Sequence, residues 1–165
     1  MRANPSLVSL RNMIAHRNKS KKQSAGSGRS QSPPEEFVLY LDENLCNSIA
    51  ILDTLNRLEV RFERHLARFE RGTVDEVWLG FVGKNRWVVL TADKRIRYSY
   101  LEQRALQRNA VREFVFASGN MSGQEMAVSL EIALPKIIKM CLRVSPPFVA
   151  AITRAGEVHL RWPKK

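Results

Sequence analysis

The stretch FVLYLDEN, residues 37–44, decides the fold class of this chain of 165 residues. Its first five residues form a continuous apolar run, which is typical of a strand buried on both faces of a sheet. Three polar residues then follow at once. A second strong strand, residues 87–90, ends in the same way, in Thr91-Ala92-Asp93. Two buried strands that each run into a carboxylate predict a parallel sheet with polar groups along one edge.

Between and after these strands the apolar residues recur at helical spacing. The sequence predicts helices near residues 45–55, 74–83, 98–108 and 123–141, with strands near 58–63 and 111–117. Capping boxes are predicted at Thr73–Glu76 and Ser122–Glu125. Gly83 is expected to end the helix near 74–83, and Pro135 is expected to kink or split the helix near 123–141. A β-hairpin is predicted at about 148–162. The alternation predicts an α/β fold with a mostly parallel central sheet covered on both faces.

Basic residues are concentrated at the start of the chain. The protein has 27 Lys and Arg against 16 Asp and Glu, a net charge of +11, which favours a polyanionic partner such as nucleic acid. Residues 1–34 hold seven basic residues and no acidic one. We expect 1–34 to be a disordered basic arm and 35–165 to be the folded domain. A transit peptide or a misplaced start codon are alternative interpretations of the arm.

Several common sites are absent from the sequence. No GxGxxG, P-loop or GxSxG motif is present, which argues against a dinucleotide, nucleotide-phosphate or serine-hydrolase site. The three histidines, His16, His65 and His159, have no zinc-like spacing and are interpreted as surface residues. Cys46 is interpreted as a packed, inert thiol. With two distant cysteines and no apolar run of membrane-spanning length, we expect a cytoplasmic protein with no membrane partner.

Carboxylates stand at the places where a parallel sheet would gather them. Asp42 and Asp93 follow two buried strands, and Asp75 lies in the first turn of the helix between them. Ligands of open parallel sheets bind beyond the carboxyl ends of the strands. Acids gathered there repel each other, and a divalent cation with oxygen ligands, Mg²⁺ or Mn²⁺, removes that repulsion. Beside a phosphodiester such a cation can activate water, while Lys94 and Arg95 would bind the phosphate.

The same acids have a structural explanation that remains open at this point. Asp42 and Asp75 could be helix caps or first-turn acids that favour the helix dipole, and Asp93 could cap the next helix.

Three segments together resemble the PIN-like domains of VapC-type toxins. They are Leu41-Asp42-Glu43-Asn44-Leu45, residues 73–77 and residues 88–94, in the same order along the chain. The resemblance covers about Phe37 to Met140 and implies a PIN-like three-layer α/β domain. We expect this domain to occupy residues 35–165, with the C-terminal hairpin as an addition outside the shared pattern. The resemblance also implies a metal-dependent endoribonuclease, the toxin of a toxin–antitoxin pair, with Asp42, Asp75 and Asp93 as its catalytic and metal-binding residues. RNA, an antitoxin protein and a second copy of the chain are the partners considered.

The chain departs from the family pattern at one informative place. Many relatives have a further acid just after the second motif, where this sequence has Arg95 and Ile96. A missing ligand would weaken metal binding. The alternative function is therefore a catalytically weak or inactive PIN-like domain that binds RNA or protein.

Overall fold

The computed structural model describes residues 37–93 and 100–163. Predictions for the arm at 1–34 and for Lys94 and Arg95 lie outside these residues. The strands are β1 (Leu39–Leu41), β2 (Phe62–Arg64), β3 (Val88–Thr91), β4 (Arg112–Phe116), β5 (Phe148–Ile152) and β6 (Val158–Trp162). The α-helices are α1 (Ile49–Arg57), α2 (Asp75–Asn85), α3 (Tyr100–Arg108) and α4 (Gly123–Arg143), and a 3₁₀ turn covers His65–Ala67. No helix within the described residues is long and apolar enough to cross a membrane.

The six strands form one sheet in the order β2-β1-β3-β4-β5-β6. The first five strands are parallel, and only β6 at the edge runs antiparallel, paired with β5. The predicted α/β class and the predicted hairpin are therefore both confirmed. Because the first five strands are parallel, their carboxyl ends all meet at one edge, which is where Asp42 and Asp93 follow β1 and β3.

Helices cover the sheet as separate layers. One face carries Tyr40, Val89 and Val115 from neighbouring strands, and α2 and α3 pack on it through Trp78 and Leu106. Helices α1 and α4 contact each other, and α4 also contacts β4, β5 and β6. The strands β1, β3, β4 and β5 are buried along their whole length, as the apolar runs in these strands predict, although β4 begins with the charged pair Arg112-Glu113.

The helix α2 differs from its predicted form at both ends. Thr73 does not cap it: Val74 occupies the cap position without a side-chain hydrogen bond, and the Thr73 hydroxyl donates to the carbonyl of Glu70 instead. Gly83 does not end it either, because the helix continues to Asn85 and the left-handed residue is Arg86. A glycine favours a helix end only when a positive φ is needed there, and here Arg86 adopts it.

The last helix is closer to its prediction. Ser122 and Glu125 form the expected capping box. Pro135 lies inside α4 but does not split it, and residues on both sides of the proline, including Leu134 and Ile137, are buried. Tertiary packing of this apolar face therefore outweighs the missing backbone hydrogen bond.

Gly83 has a packing role that makes a sharp prediction. A Cβ at Gly83 would lie 2.1 Å from the backbone carbonyl oxygen of Asn109, whereas a Cβ at Gly80, one turn earlier, would meet nothing closer than 3.7 Å. We expect Gly83→Ala to lower the free energy of unfolding by about 1–3 kcal/mol through overpacking. Gly80→Ala should raise it by up to about 1 kcal/mol, because alanine favours a helix. Urea unfolding of both variants measures this, and equal effects would contradict it.

Candidate active site

Asp42 lies at the carboxyl end of β1 and is held by its own loop. Its side-chain Oδ1 accepts a hydrogen bond from the backbone N–H of Leu45 at 3.0 Å. Its backbone carbonyl accepts from the N–H groups of Leu45 and Cys46. The sequence Asp-x-x-Leu thus folds back as a tight turn, and Asp42 is only 5% exposed. Asp42 does not cap α1, which begins at Ile49 after Ser48, but it does satisfy backbone donors of its own loop.

Thr91 connects the ends of β1 and β3. Its hydroxyl donates to Asp42 Oδ2 at 2.5 Å, and its Oγ1 accepts from the backbone N–H of Asp93 at 2.9 Å. One buried hydroxyl therefore positions both carboxylate-bearing segments. This contact follows from the register, in which Leu41 is opposite Leu90, so that Asp42 comes beside Thr91.

The environment of Asp42 disfavours its charged form. Burial raises the pKa of Asp42 above its ordinary value, and the negative charge of Asp93 raises it further. The hydrogen bonds from Thr91, Leu45 and Asn44 act in the opposite direction and lower it. A shifted carboxyl pKa at a strand end is characteristic of functional sites, although buried structural groups show it too.

Asp75 is the first residue of α2 and is half-buried. Its Oδ1 accepts a hydrogen bond from the indole Nε1–H of Trp78 at 2.9 Å. Trp78 is 4% exposed and stacks on Tyr40 of β1, with ring centroids 5.6 Å apart. The carboxylate of Asp75 is therefore oriented by a ring that is itself fixed on the sheet.

All three predicted acids line one open cavity of about 860 Å³. The structure thus brings Asp42, Asp75 and Asp93 to the same depression at the carboxyl edge of the sheet. Further acids line it as well, namely Glu43, Glu76 and Glu102. The combination of several carboxylates in one concave site predicts strong attraction for cations.

Basic groups also line the cavity, and those among the described residues lie on α3. Arg104 and Arg108 are one helical turn apart and both contribute to its wall. The guanidinium of Arg108 pairs with Glu76 of α2 at 3.1 Å, and both residues line the cavity. Sequence analysis missed both arginines because nothing in the spacing showed that α3 would lie beside α2. Lys94 and Arg95 fall in the segment outside the described residues.

The donor chemistry of the cavity fits a hard divalent cation. Every candidate ligand among the three predicted acids is a carboxylate oxygen, which suits Mg²⁺ or Mn²⁺. Across residues 37–93 and 100–163, however, no three His, Cys, Asp or Glu side chains are close enough together to hold a metal ion. The acids would have to converge when a cation binds.

Comparison with known protein families identifies the domain. The family model described as "PIN like domain" matches residues 37–118, from β1 to just beyond β4. This chain contains a PIN-like domain. The match includes Asp42, Asp75 and Asp93 and ends before α4, so the PIN-like region contains the candidate site. Searches of curated proteins and of solved structures gave no significant match.

Two functional candidates of the PIN-like domain escaped sequence analysis. His65 was predicted to be a surface residue, which is wrong: it is 2% exposed and lines the cavity. A weak strand followed by a 3₁₀ turn carries it inward, and no sequence period marks that. Of the other two histidines, His159 is exposed, as predicted, and His16 lies outside the described residues.

Glu113 is the second residue that was missed. It lies inside β4, is fully buried, and neither of its carboxylate oxygens has a hydrogen-bond partner. Burial raises the pKa of Glu113 to about 8, and the charges of Asp42, Glu102, Asp75 and Asp93 contribute. A signal was present, because Arg112-Glu113 interrupts an otherwise apolar strand. Cys46 is fully buried, as predicted for a packed thiol.

Proposed function

We propose that this protein is a metal-dependent endoribonuclease of the PIN-like type, using Mg²⁺ or Mn²⁺. A PIN-like domain indicates a nuclease-type fold and suggests RNA as a partner. The observation that carries the proposal is that Asp42, Asp75 and Asp93 line one cavity at the carboxyl edge of the parallel sheet. If these three acids only capped helices, nothing would require their side chains to line the same cavity.

In this proposal Asp42, Asp93 and Asp75 hold the cation, the last directly or through water. A bound divalent ion lowers the pKa of a coordinated water and stabilises a leaving oxygen. Thr91 keeps Asp42 and the Asp93 backbone in register, and Trp78 orients Asp75. Arg104 and Arg108 supply positive charge beside the acids and would offset phosphate charge, together with Lys94 and Arg95.

Cleavage of labelled single-stranded RNA, with Mn²⁺ or with EDTA, tests the proposal. We expect metal-dependent cleavage by the parent and a loss on the order of 10²–10³-fold in Asp42→Asn and Asp93→Asn, because each removes charge stabilisation at the reacting phosphate. Asp75→Asn should lose less. Asp53→Asn, an exposed acid on α1, is the matched control and should retain full activity. Absence of cleavage by the parent, or equal activity in all four variants, would contradict the proposal.

A second function is favoured by a specific observation. The described acids do not form a ready-made metal site, and Asp42 already accepts hydrogen bonds on both oxygens. These facts support a catalytically weak or inactive domain that binds RNA or protein. RNA binding that is unaffected by EDTA and by Asp93→Asn would favour this second function.

The cellular role is a finer part of the proposal. We propose a cytoplasmic toxin held in check by an antitoxin protein, with a homodimer as its assembly. The support is the resemblance of the motifs to VapC-type toxins. Growth arrest on induction, relieved by a protein encoded beside it, would support this role, and normal growth with high expression of active nuclease would exclude it.

A further inference from the structure

Exposed apolar side chains are concentrated at the starts of α2 and α3. Of the nine large apolar residues that are exposed in the described chain, four lie at these two helix starts, namely Val74, Val77, Tyr100 and Leu101. Val74 and Leu101 line the cavity that contains the acids, and they are 65% and 76% exposed. A single exposed apolar residue is ordinary, whereas several gathered at a functional cavity indicate a ligand with an apolar surface.

The topology places these apolar residues beside the acids. Helix α2 leads into β3 and α3 leads into β4, and the two helices contact each other. Because β3 and β4 are parallel, each helix returns the chain to the amino edge of the sheet and therefore begins at its carboxyl edge. This is the edge at which Asp42 and Asp93 follow their strands, so the apolar surface and the candidate active site are neighbours.

One face of α3 presents apolar and basic groups in turn to the cavity. The residues of this face recur at the helical spacing i, i+3, i+4 and i+7, and all of them line the cavity: Leu101, Arg104, Ala105 and Arg108. Leu101 and Arg104 are about 4.5 Å apart along the helix axis. An apolar contact and a positive charge are thus available side by side on one rigid element.

Arg104 differs from Arg108 in its partners. Arg108 pairs with Glu76, whereas Arg104 has no acidic partner within residues 37–93 and 100–163. The Arg104 guanidinium lies instead over the ring of Tyr100, 5.6 Å from its centroid, which limits its movement without neutralising its charge. A guanidinium held in this way is suited to bind an anion that enters the cavity.

We infer that Val74 and Leu101 form a nucleobase subsite beside the candidate active site, and that Arg104 binds the phosphate of the same nucleotide. This inference rests on the proposed function, because a phosphodiester beside the acids needs a bound cation to offset their charge. A nucleotide joins a flat apolar base to an anionic phosphate, which matches an apolar surface next to a guanidinium without an acidic partner. An apolar peptide side chain would match only the first. Bases that leave the stack of a duplex are held by apolar side chains in the same manner.

Two probes separate contact with the base from contact with the backbone. One is a single-stranded oligouridylate with phosphorothioate linkages, and the other is an abasic strand of the same length and linkages. With Mg²⁺ present, we expect the parent to bind the oligouridylate about 5- to 10-fold more tightly, at the lower end of what stacking of a base on a protein contributes. Leu101→Gln should lose most of this preference, and the double variant with Val74→Thr should lose all of it. Both variants should bind the abasic strand as the parent does.

Matched variants control for exposure and for charge. Ile49 is 75% exposed in the first turn of α1 and does not line the cavity, so Ile49→Gln should keep the preference of the parent. Arg104→Gln should weaken binding of both probes and reduce the slope of log affinity against log salt by about one, as for a lost phosphate contact. Leu101→Gln should leave that slope unchanged. Since Leu101 and Ile49 are exposed, their glutamine variants should unfold at the temperature of the parent.

The base subsite and the nuclease fail in different ways. A parent without preference for the oligouridylate, or a Leu101→Gln variant that weakens both probes equally, would overturn the base subsite. A Leu101→Gln variant that keeps the full preference would also overturn it and leave the apolar surface to a protein partner. If the parent cleaves RNA in any of these cases, the nuclease stands. If the parent never cleaves RNA but Leu101→Gln removes a measured preference, the nuclease is wrong and the base subsite stands.

Discussion

Replacing Glu113 with methionine is expected to stabilise the protein, and by more at pH 8 than at pH 5. Glu113 is buried in the middle of β4 with both carboxylate oxygens unpaired, so it contributes desolvation cost and no compensating bond. Methionine has a similar volume and adapts to irregular packing. Buried charged groups replaced by apolar ones of like size often leave a protein more stable.

The pH dependence follows from the shifted pKa. In the folded chain Glu113 keeps its proton up to a pKa of about 8, whereas its ordinary pKa is 4.5. Between these values the folded state binds more protons than the unfolded state, so the free energy of unfolding falls as pH rises. At pH 7 this group should cost on the order of 3 kcal/mol, since one pKa unit corresponds to about 1.4 kcal/mol.

Urea unfolding in EDTA from pH 5 to pH 9 measures the effect. The methionine variant should have a higher free energy of unfolding than the parent at every pH. Between pH 5 and pH 8 it should also lack the fall in that free energy that Glu113 causes in the parent. Glu113→Gln should lose the same decline while gaining less stability, because its amide stays unpaired. The exposed Asp53→Asn is the control and should follow the parent curve. A methionine variant whose stability declines with pH as steeply as the parent's would show that Glu113 is ionised in the folded protein.

The fold could be predicted from the sequence where burial is uniform along an element. The central strands β1, β3 and β4 each contain an apolar run without alternation, in β4 the run Phe114–Phe116, so the sequence predicts all three strands close to their observed bounds. The buried face of α4 was also found, because its apolar residues repeat at helical spacing. In α2 the pattern misled: Val74 and Val77 extend the apolar stripe but are 65% and 54% exposed. Hydrophobicity alone does not show where a neighbouring helix stops covering a surface.

The site was predictable only for residues fixed by strand ends. Parallel strands bring their carboxyl ends together whatever the details of packing, so Asp42 and Asp93 could be placed at one edge from the sequence. His65 depends on a 3₁₀ turn after a short edge strand, and Arg104 depends on how α3 packs beside α2. Both are consequences of tertiary packing, and neither has a period or a spacing that a sequence can display.

Thr91→Val is expected to uncouple the two strand ends and to remove nuclease activity. The hydroxyl of Thr91 donates to buried Asp42 and accepts from the N–H of Asp93, so valine removes both bonds at nearly constant volume. Hydrogen bonds to charged groups contribute about 1.5–3 kcal/mol, and the variant leaves a buried carboxylate without this donor. We expect about 2–3 kcal/mol of destabilisation at neutral pH and, under the proposed function, cleavage reduced about 100-fold or more by displacement of the carboxylates.

The loss of stability in Thr91→Val should increase as the pH rises. Burial holds the pKa of Asp42 above its ordinary value of 3.8, and the Thr91 bond partly opposes that rise. Without the bond the pKa rises further, so the folded state holds its proton to higher pH than the unfolded state does. Stability is then lost as pH increases from about 4 towards neutral, and the difference between Thr91→Val and the parent widens over that range.

Thr91→Ser separates the hydroxyl from the rest of the side chain. Serine keeps both hydrogen bonds and loses only a methyl group, so it should cost about 1 kcal/mol at every pH and keep most of the activity. Valine keeps the methyl group and loses the bonds, so its cost should be smaller at pH 4 than at pH 7. Urea unfolding of the parent, Thr91→Ser and Thr91→Val at pH 4 and pH 7 measures these differences in stability. If the serine and valine variants lose equal stability at each pH, the hydroxyl does not couple Asp42 to Asp93 and packing alone holds this edge of the sheet.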